Sequence, residues 1–228
     1  MNAFRSLAGR RAVFVGVAAV LSIGLVPGAL ASAAKPPPKP PKPKPPPAGG
    51  AGQLSIATTP RVIVFGAGST VAGQLTGVPS AGGVALSLDQ SPYPFRSFKR
   101  LATGSTDAGG GYSFAVMPTG NTRYRVTAQT SPPTTSAEAD VLVKKRVTIG
   151  VRRSRVSGLV APAHNGDSVE LQRRSRTGYR TVATARLADA TAAGARYRFI
   201  VRRAGIYRVR APADANHLSG TSSSRRVR

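Results

Sequence analysis

The arginines in the last third of the sequence have the type and spacing of anion-binding groups. Four alternate with apolar residues in two short segments, so they would share the outer faces of two strands: Arg196, Arg198, Arg208 and Arg210. Four more surround a turn at Gly178: Arg173, Arg174, Arg176 and Arg180. Guanidinium groups bind phosphate and carboxylate in a forked geometry, and clustered charge concentrates polyanions. Because the connection through Gly205 is short, we expect the two strands to be hairpin neighbours and the arginines to form one basic patch.

A proline-stiffened segment at residues 91–100 mixes aromatic and cationic side chains. Tyr93, Phe95 and Phe98 could stack on sugars or bases there, with the cations beside them. The alternative is that Phe95 or Phe98 covers the end of a sandwich core.

Carboxylates and histidines are too few and too scattered to form a catalytic centre. General acid–base chemistry needs two titrating groups in one pocket, and a metal site needs several ligands at set spacing. His164, beside Asn165-Gly166, and His217, in a polar loop, are predicted to be exposed turn residues. Asp107 and Asp140 offer too few ligands for a calcium loop. We therefore predict a protein that is not an enzyme and has no metal site and no cofactor.

The net charge is large and uneven. The chain carries +25, and removal of the three arginines before residue 34 leaves +22. Residues 61–145 contain eight basic and four acidic residues, net +4, whereas residues 146–228 contain eighteen and four, net +14. An anionic cell-wall polymer or an anionic membrane surface fits this charge, and sequence-independent binding of nucleic acid is the runner-up. The alternative is an arginine-rich surface that serves only solubility.

The rest of the sequence predicts strands and an internal repeat. Tyr112, Phe114 and Val116 alternate with small residues, which is the period of a half-buried strand. A shift of 85 places Tyr112 on Tyr197, and the segment 62–64 would correspond to 147–149. Turn residues such as Asn165-Gly166, a tight-hairpin signal, separate the strands. We predict two tandem antiparallel β-sandwiches, residues 61–145 and 146–228, with six or seven strands each.

Several of these positions resemble a known group of modules. The pattern comprises Val71-x-Gly73, Val84-x-Leu86, Thr106-Asp107-x-x-Gly110-Gly111-Tyr112-x-Phe114 and Tyr124-Arg-Val126, with Val156-x-Gly158 and Tyr197-x-Phe199 in the second copy. It is similar to bacterial immunoglobulin-like or carboxypeptidase-regulatory (transthyretin-like) modules. The resemblance implies a compact β-sandwich and a non-catalytic accessory or cell-surface role.

The N-terminal region predicts export. Residues 1–33 combine three arginines, an apolar run and small-residue cleavage sites, as a signal peptide does, although an uncleaved anchor is the alternative. Residues 34–60 form a Pro/Lys/Gly-rich linker, predicted to be disordered. The sequence has no cysteine, which excludes disulfides and a cysteine-linked lipid anchor. We expect a secreted or cell-envelope-associated protein for adhesion, with an accessory module of an extracellular hydrolase system as the alternative.

Overall fold

The computed structural model describes residues 52–228, where every regular element is a β-strand. The strands form four sheets around two separate hydrophobic clusters, one from Leu54 to Val143 and one from Val156 to Val227. The predicted all-β fold of antiparallel sandwiches is therefore confirmed. This part of the chain contains no helix of a length and apolarity that could cross a membrane. The predicted signal peptide and most of the predicted linker lie outside the described residues.

The first sandwich has ten strands, more than predicted, because several are only two or three residues long. They are β1 (Gln53–Leu54), β2 (Ala57–Thr59), β3 (Val62–Val64), β4 (Ser69–Thr76), β5 (Ala85–Pro92), β6 (Lys99–Ser105), β7 (Gly111–Val116), β8 (Thr122–Ala128), β9 (Thr134–Thr135) and β10 (Ala139–Lys144).

Its two sheets face each other across the first cluster. In the smaller sheet, β4 pairs antiparallel with β1, β2 and β7. The larger sheet has the order β3–β10–β8–β5–β6, with β9 also paired to β8, and only β3–β10 is parallel. Buried and half-buried residues alternate along all of β8, so the predicted period of two is present. Tyr124, Leu75 and Leu88 are among its largest fully buried side chains.

The second sandwich repeats this plan with nine strands. They are β11 (Arg146–Val147), β12 (Gly150–Arg152), β13 (Arg155–Ala161), β14 (Ser168–Ser175), β15 (Gly178–Arg186), β16 (Ala195–Ile200), β17 (Gly205–Ala211), β18 (Gly220–Thr221) and β19 (Arg225–Val227). In one sheet β13 pairs with β11, β12 and β16, and the other has the order β15–β14–β17–β18, with β19 also paired to β17.

A tyrosine–glycine contact connects β7 and the segment between β1 and β2 across β4 in the first sandwich. The hydroxyl of Tyr112 donates a hydrogen bond to the carbonyl oxygen of Ser55 at 2.5 Å. It passes directly beside Gly73, where an added Cβ would overlap both the tyrosine hydroxyl and that carbonyl oxygen. Burial raises the pKa of Tyr112 to about 12, because the phenolate loses its hydration.

The second sandwich has the equivalent contact. Tyr197 donates to the carbonyl oxygen of Thr148 beside Gly158, where a Cβ would again overlap the oxygen. Burial raises the pKa of Tyr197 as well. Since only glycine leaves room for this approach, both glycines are fixed by packing.

Residues 53–59 belong to the first sandwich. Leu54 is 8% exposed and pairs with Leu75 of β4. Burial of the Leu54 side chain stabilises this strand. The prediction that a disordered linker extends to residue 60 is therefore wrong for this segment.

The predicted correspondence of residues 62–64 with 147–149 is also wrong. Val147 pairs with Val160 in the way that Leu54 pairs with Leu75. The segment Val62–Val64 instead forms β3, which pairs parallel with β10 in the opposite sheet.

Candidate anion-binding site

The β14–β15 hairpin carries four of the predicted arginines around its tip, and we call this group the arginine hairpin: Arg173, Arg174, Arg176 and Arg180. Ser175 and Gly178 close its tip, where the hydroxyl of Ser175 donates to the carbonyl of Gly178 at 3.0 Å. Gly178 has a φ of 127°, which side chains disfavour. The four arginines line an open hollow of about 690 Å³.

Within this hairpin, Arg173 lies directly opposite Arg180 in the strand ladder. Like charges in directly opposed positions destabilise a sheet. Arg173 Nη2 donates to the carbonyl oxygen of Ala204 at 3.0 Å, and the lining of the hollow, all of it in the described part of the chain, includes no carboxylate. An anion bound between the two guanidinium groups would relieve their repulsion.

A second hollow adds two arginines that were not predicted from the sequence, Arg202 and Arg203. It shares the lining residues Arg173 and Val182 with the first hollow. Arg202 and Arg203 precede the short connection through Gly205. Their position in this connection is the sequence feature that could have indicated that they lie at the surface with the other arginines.

The predicted single patch of Arg196, Arg198, Arg208 and Arg210 is wrong. β16 pairs with β13 in one sheet, whereas β17 pairs with β14 in the other. The short connection through Gly205 crosses between sheets instead of forming a hairpin. Arg196 and Arg198 therefore lie exposed on one outer face of the sandwich, and Arg208 and Arg210 lie half-buried on the opposite one.

Arg208 and Arg210 are already engaged by neighbouring side chains. Arg208 Nε donates to Gln172 Oε1 at 2.8 Å, and its guanidinium lies 3.9 Å from the ring centroid of Tyr179. Arg210 Nη1 lies 3.3 Å from the carboxylate of Glu170. These two arginines stabilise the sheet and are less available to a ligand than the arginine hairpin.

Most of the charge on the second sandwich has no acidic partner. Of the eighteen arginines in residues 146–228, all of them described, only Arg210 lies within 4.0 Å of a carboxylate oxygen. Exposed cations without partners keep their full long-range field.

The aromatic side chains of the segment 91–100, Tyr93, Phe95 and Phe98, lie on the outer face of the first sandwich, where the two phenylalanines contact arginines. The guanidinium of Arg123 is 4.5 Å from the ring centroid of Phe95, and that of Arg125 is 4.1 Å from Phe98. Tyr93 packs edge-on against Phe95 and is 41% exposed. Neither phenylalanine belongs to the first hydrophobic cluster, so the alternative that they cover the core is wrong. A binding role for Tyr93, Phe95 and Phe98 stays a prediction.

The histidines differ from each other. His164 is exposed beside its turn, with 75% of its side chain accessible. His217 is only 4% exposed, so the prediction of an exposed loop residue is wrong for it. Its Nδ1 lies 3.1 Å from a carboxylate oxygen of Asp214, and its Nε2 donates to the carbonyl oxygen of Thr119 at 2.9 Å. His217 is buried because it connects the loop before β18 to the first sandwich.

A buried lysine completes this junction. Lys145 is 5% exposed, and its Nζ lies 2.9 Å from Asp214 and 3.2 Å from Asp167. Burial alone would raise the pKa of Asp214, but hydrogen bonds from Lys145 and the amide of Asn216, with the nearby positive charges, lower it to about 2. The cluster is a structural ion pair network.

Asp107 and Asp140, the residues considered for a calcium loop, serve a turn and ion pairs. Asp107 Oδ1 accepts hydrogen bonds from the amides of Gly109 and Gly111, each at 2.8 Å. Asp140 pairs with Arg61 and Arg123. No group of three His, Asp or Glu side chains within residues 52–228 is placed to hold a metal ion.

Comparisons with known proteins give distant structural likenesses only. No protein-family model and no curated protein matches the chain. Similar solved structures include a tetra-tandem repeat from the extending region of a large adhesion protein, at 17% identity and a TM-score of 0.39. That match covers 78% of this chain and 50% of the other, so the chain spans about half the length of that structure.

Two further solved structures are similar at the same level. The human OSCAR ligand-binding domain is 15% identical, with a TM-score of 0.32 and coverage of 77% of this chain and 98% of that chain. A marsupial T cell receptor is 8% identical, with a TM-score of 0.34 and coverage of 78% and 73%. Likeness at these TM-scores supports no conclusion about function, and the resemblance to carboxypeptidase-regulatory modules stays a prediction.

Proposed function

We propose that this chain is a secreted, non-catalytic protein that associates with the cell envelope by binding anionic polymers through the second sandwich. The observation that carries the proposal is the arginine hairpin, where four arginines surround one hollow without a carboxylate. The opposition of Arg173 and Arg180 favours a ligand that supplies negative charge to both. Export is supported by the signal-like residues 1–33.

The ligand chemistry follows from the guanidinium group. Arginine binds phosphate and carboxylate through paired N–H donors, and several arginines around one hollow favour a polymer with repeated anionic groups. Wall polymers with phosphodiester or carboxylate units have this chemistry. Nucleic acid offers the same phosphates and is the competing ligand.

Sedimentation with isolated bacterial cell walls over a salt series tests the proposal. The variant Arg174→Gln/Arg176→Gln/Arg180→Gln should lose most binding at about 0.05 M salt, where screening is weak. Wild-type protein should be released as salt rises towards about 0.5 M, because counterion release makes such binding salt-dependent.

A variant of the first sandwich with the same charge change is the control. Arg96→Gln/Lys99→Gln/Arg100→Gln removes three cations that form no salt bridge among the described residues. It should keep wall binding. Equal loss in both variants would reduce the effect to net charge and contradict the proposal, as would tighter binding to DNA than to walls.

A further inference from the structure

β15 leaves one long sheet edge open. It pairs with β14 along one side, and no strand within residues 52–228 pairs with its other side. Seven of its nine residues are exposed, so neither of its faces is covered along most of its length. Unpaired N–H and C=O groups of such an edge are a template for another strand.

The space beside this edge is a groove that is both apolar and cationic. Val182 on β15 is 53% exposed and Ile200 on β16 is 64% exposed, and both line the second hollow. Six arginines line the two hollows, which share Arg173 and Val182: Arg173, Arg174, Arg176, Arg180, Arg202 and Arg203. Neither lining contains an acidic residue.

We propose that an extended acidic polypeptide segment with alternating apolar residues binds in this groove by pairing with the open edge of β15. Its backbone satisfies the unpaired N–H and C=O groups of β15, as in other cases of strand addition. Its carboxylates meet the arginines, and its apolar side chains cover Val182 and Ile200. The ligand class follows from the coincidence of these three features.

Other ligand classes use fewer of the features. A polyphosphate or a phosphodiester wall polymer has no peptide groups to pair with β15 and no apolar side chains for Val182 and Ile200. The open edge of the first sandwich provides an internal comparison. β6 also ends its sheet, but the hollow beside it contains a single arginine, Arg100.

This inference uses the arginines of the proposed function, so the test must separate the two. The probe is a synthetic peptide of about eight residues, a common strand length, that alternates glutamate and valine. Its affinity for the whole protein is measured by calorimetry, with inorganic polyphosphate as the second probe. Amide hydrogen exchange of β15 is followed by NMR with each probe.

We expect the peptide to bind and to slow exchange of the β15 edge amides by about tenfold or more, whereas polyphosphate should bind without that protection. Val182→Ser/Ile200→Ser should weaken the peptide by about tenfold and leave polyphosphate affinity unchanged, which also shows that the variant is folded. Leu101→Ser, on β6, is the matched control because Leu101 is 43% exposed.

Two results would overturn the inference. One is the absence of peptide binding. The other is peptide binding without protection of β15, which would mean electrostatic capture alone and would leave the proposed polymer binding intact. Failure of both probes to bind would contradict the proposed function as well.

Discussion

Each sandwich places an arginine against an aromatic ring at an equivalent point of its larger sheet, and the two differ in what lies beside that arginine. In the first, Arg125 lies against Phe98 and its Nε is 3.4 Å from the carboxylate of Asp89. Asp89 and Arg125 are directly paired in the ladder, next to the buried pair of Leu88 and Val126. The positive charge is therefore compensated locally.

In the second sandwich the neighbour of the arginine is neutral. Arg208 lies against Tyr179, and its ladder partner is Gln172, whose Oε1 accepts a hydrogen bond from Arg208. The adjacent buried pair is Leu171 and Val209. The same geometry is thus kept by a hydrogen bond, while the charge of the arginine remains uncompensated.

The difference extends to the other carboxylates. In the first sandwich Asp89, Glu138 and Asp140 all pair with arginines on the sheet. In the second, Asp167 and Asp214 pair with Lys145 at the junction, and among its arginines only Arg210 has a carboxylate partner, Glu170. Both sandwiches carry four acidic residues, so the larger number of arginines makes the second one basic, and the positions of the carboxylates decide which arginines stay unpaired.

The largest expected effect tests the shared core. Gly158→Ala and Gly73→Ala should each destabilise the protein by roughly 3 kcal/mol, because the new methyl group overlaps a backbone oxygen that cannot move freely. Urea unfolding measures the change. Gly150→Ala is the control, since the nearest atom to its added Cβ would be 3.7 Å away. If one of the two substitutions is harmless, the sandwiches do not share this contact.

The next largest effect tests whether the negative charge of Asp214, which pairs with Lys145 at the junction, stabilises the folded protein. The pKa of Asp214 lies near 2 in the folded protein against 3.8 in the unfolded chain, so its ionised form stabilises the folded state on the order of 2 kcal/mol at neutral pH. This contribution is present above pH 3.8 and is lost as the pH falls towards 2. Asp214→Asn should therefore be less stable than wild type at pH 7 and nearly equal to it near pH 2.

The control for this prediction is Asp189→Asn. Asp189 is exposed, has a φ of 54° that asparagine tolerates, and forms no salt bridge among the described residues. Its stability difference from wild type should be small at both pH values. A loss at pH 7 that persists unchanged at pH 2 would mean that packing, and not charge, explains the effect of Asp214→Asn.

A smaller effect concerns the tyrosine hydroxyls. Tyr112→Phe and Tyr197→Phe each remove one partly buried hydrogen bond, which should cost about 1 kcal/mol by urea unfolding near neutral pH. The folded pKa of Tyr112 is raised from 10.0 to about 12, so wild type loses stability relative to Tyr112→Phe as pH rises through that range. Tyr93→Phe, at an exposed position, should change neither the free energy of unfolding near neutral pH nor its dependence on pH between about 10 and 12.

Local patterns in the sequence predicted the strands because alternation is a property of neighbouring residues. The alternation of Tyr197 and Phe199 correctly indicated which side chains of β16 face the core. It could not indicate the pairing partner of β16. A short connection is compatible both with a hairpin within one sheet and with a crossing between two sheets. The same holds for Asn165-Gly166, which was predicted to form a tight hairpin but connects β13 and β14 in different sheets.

Long-range burial was the second limit. Lys145 and His217 are polar in sequence, and each is buried with a partner that lies far away in the chain, Asp167 for Lys145 and Thr119 for His217. The arginine hairpin was predictable because its arginines surround a local turn. Arg202 and Arg203 reach the same groove only through packing of the loop after β16 beside β15.

The smallest expected effect separates charge from hydrogen bonding in the two arginine–aromatic contacts. Asp89→Asn should destabilise the first sandwich by less than about 1 kcal/mol, and this difference should shrink between about 0.05 and 1 M salt because screening weakens a partly exposed ion pair. Gln172→Met, which removes the neutral acceptor of Arg208, should cost a similar amount that does not depend on salt. Urea unfolding at the two salt concentrations measures both. The same salt dependence in both variants would mean that charge compensation does not distinguish the two sandwiches at these positions.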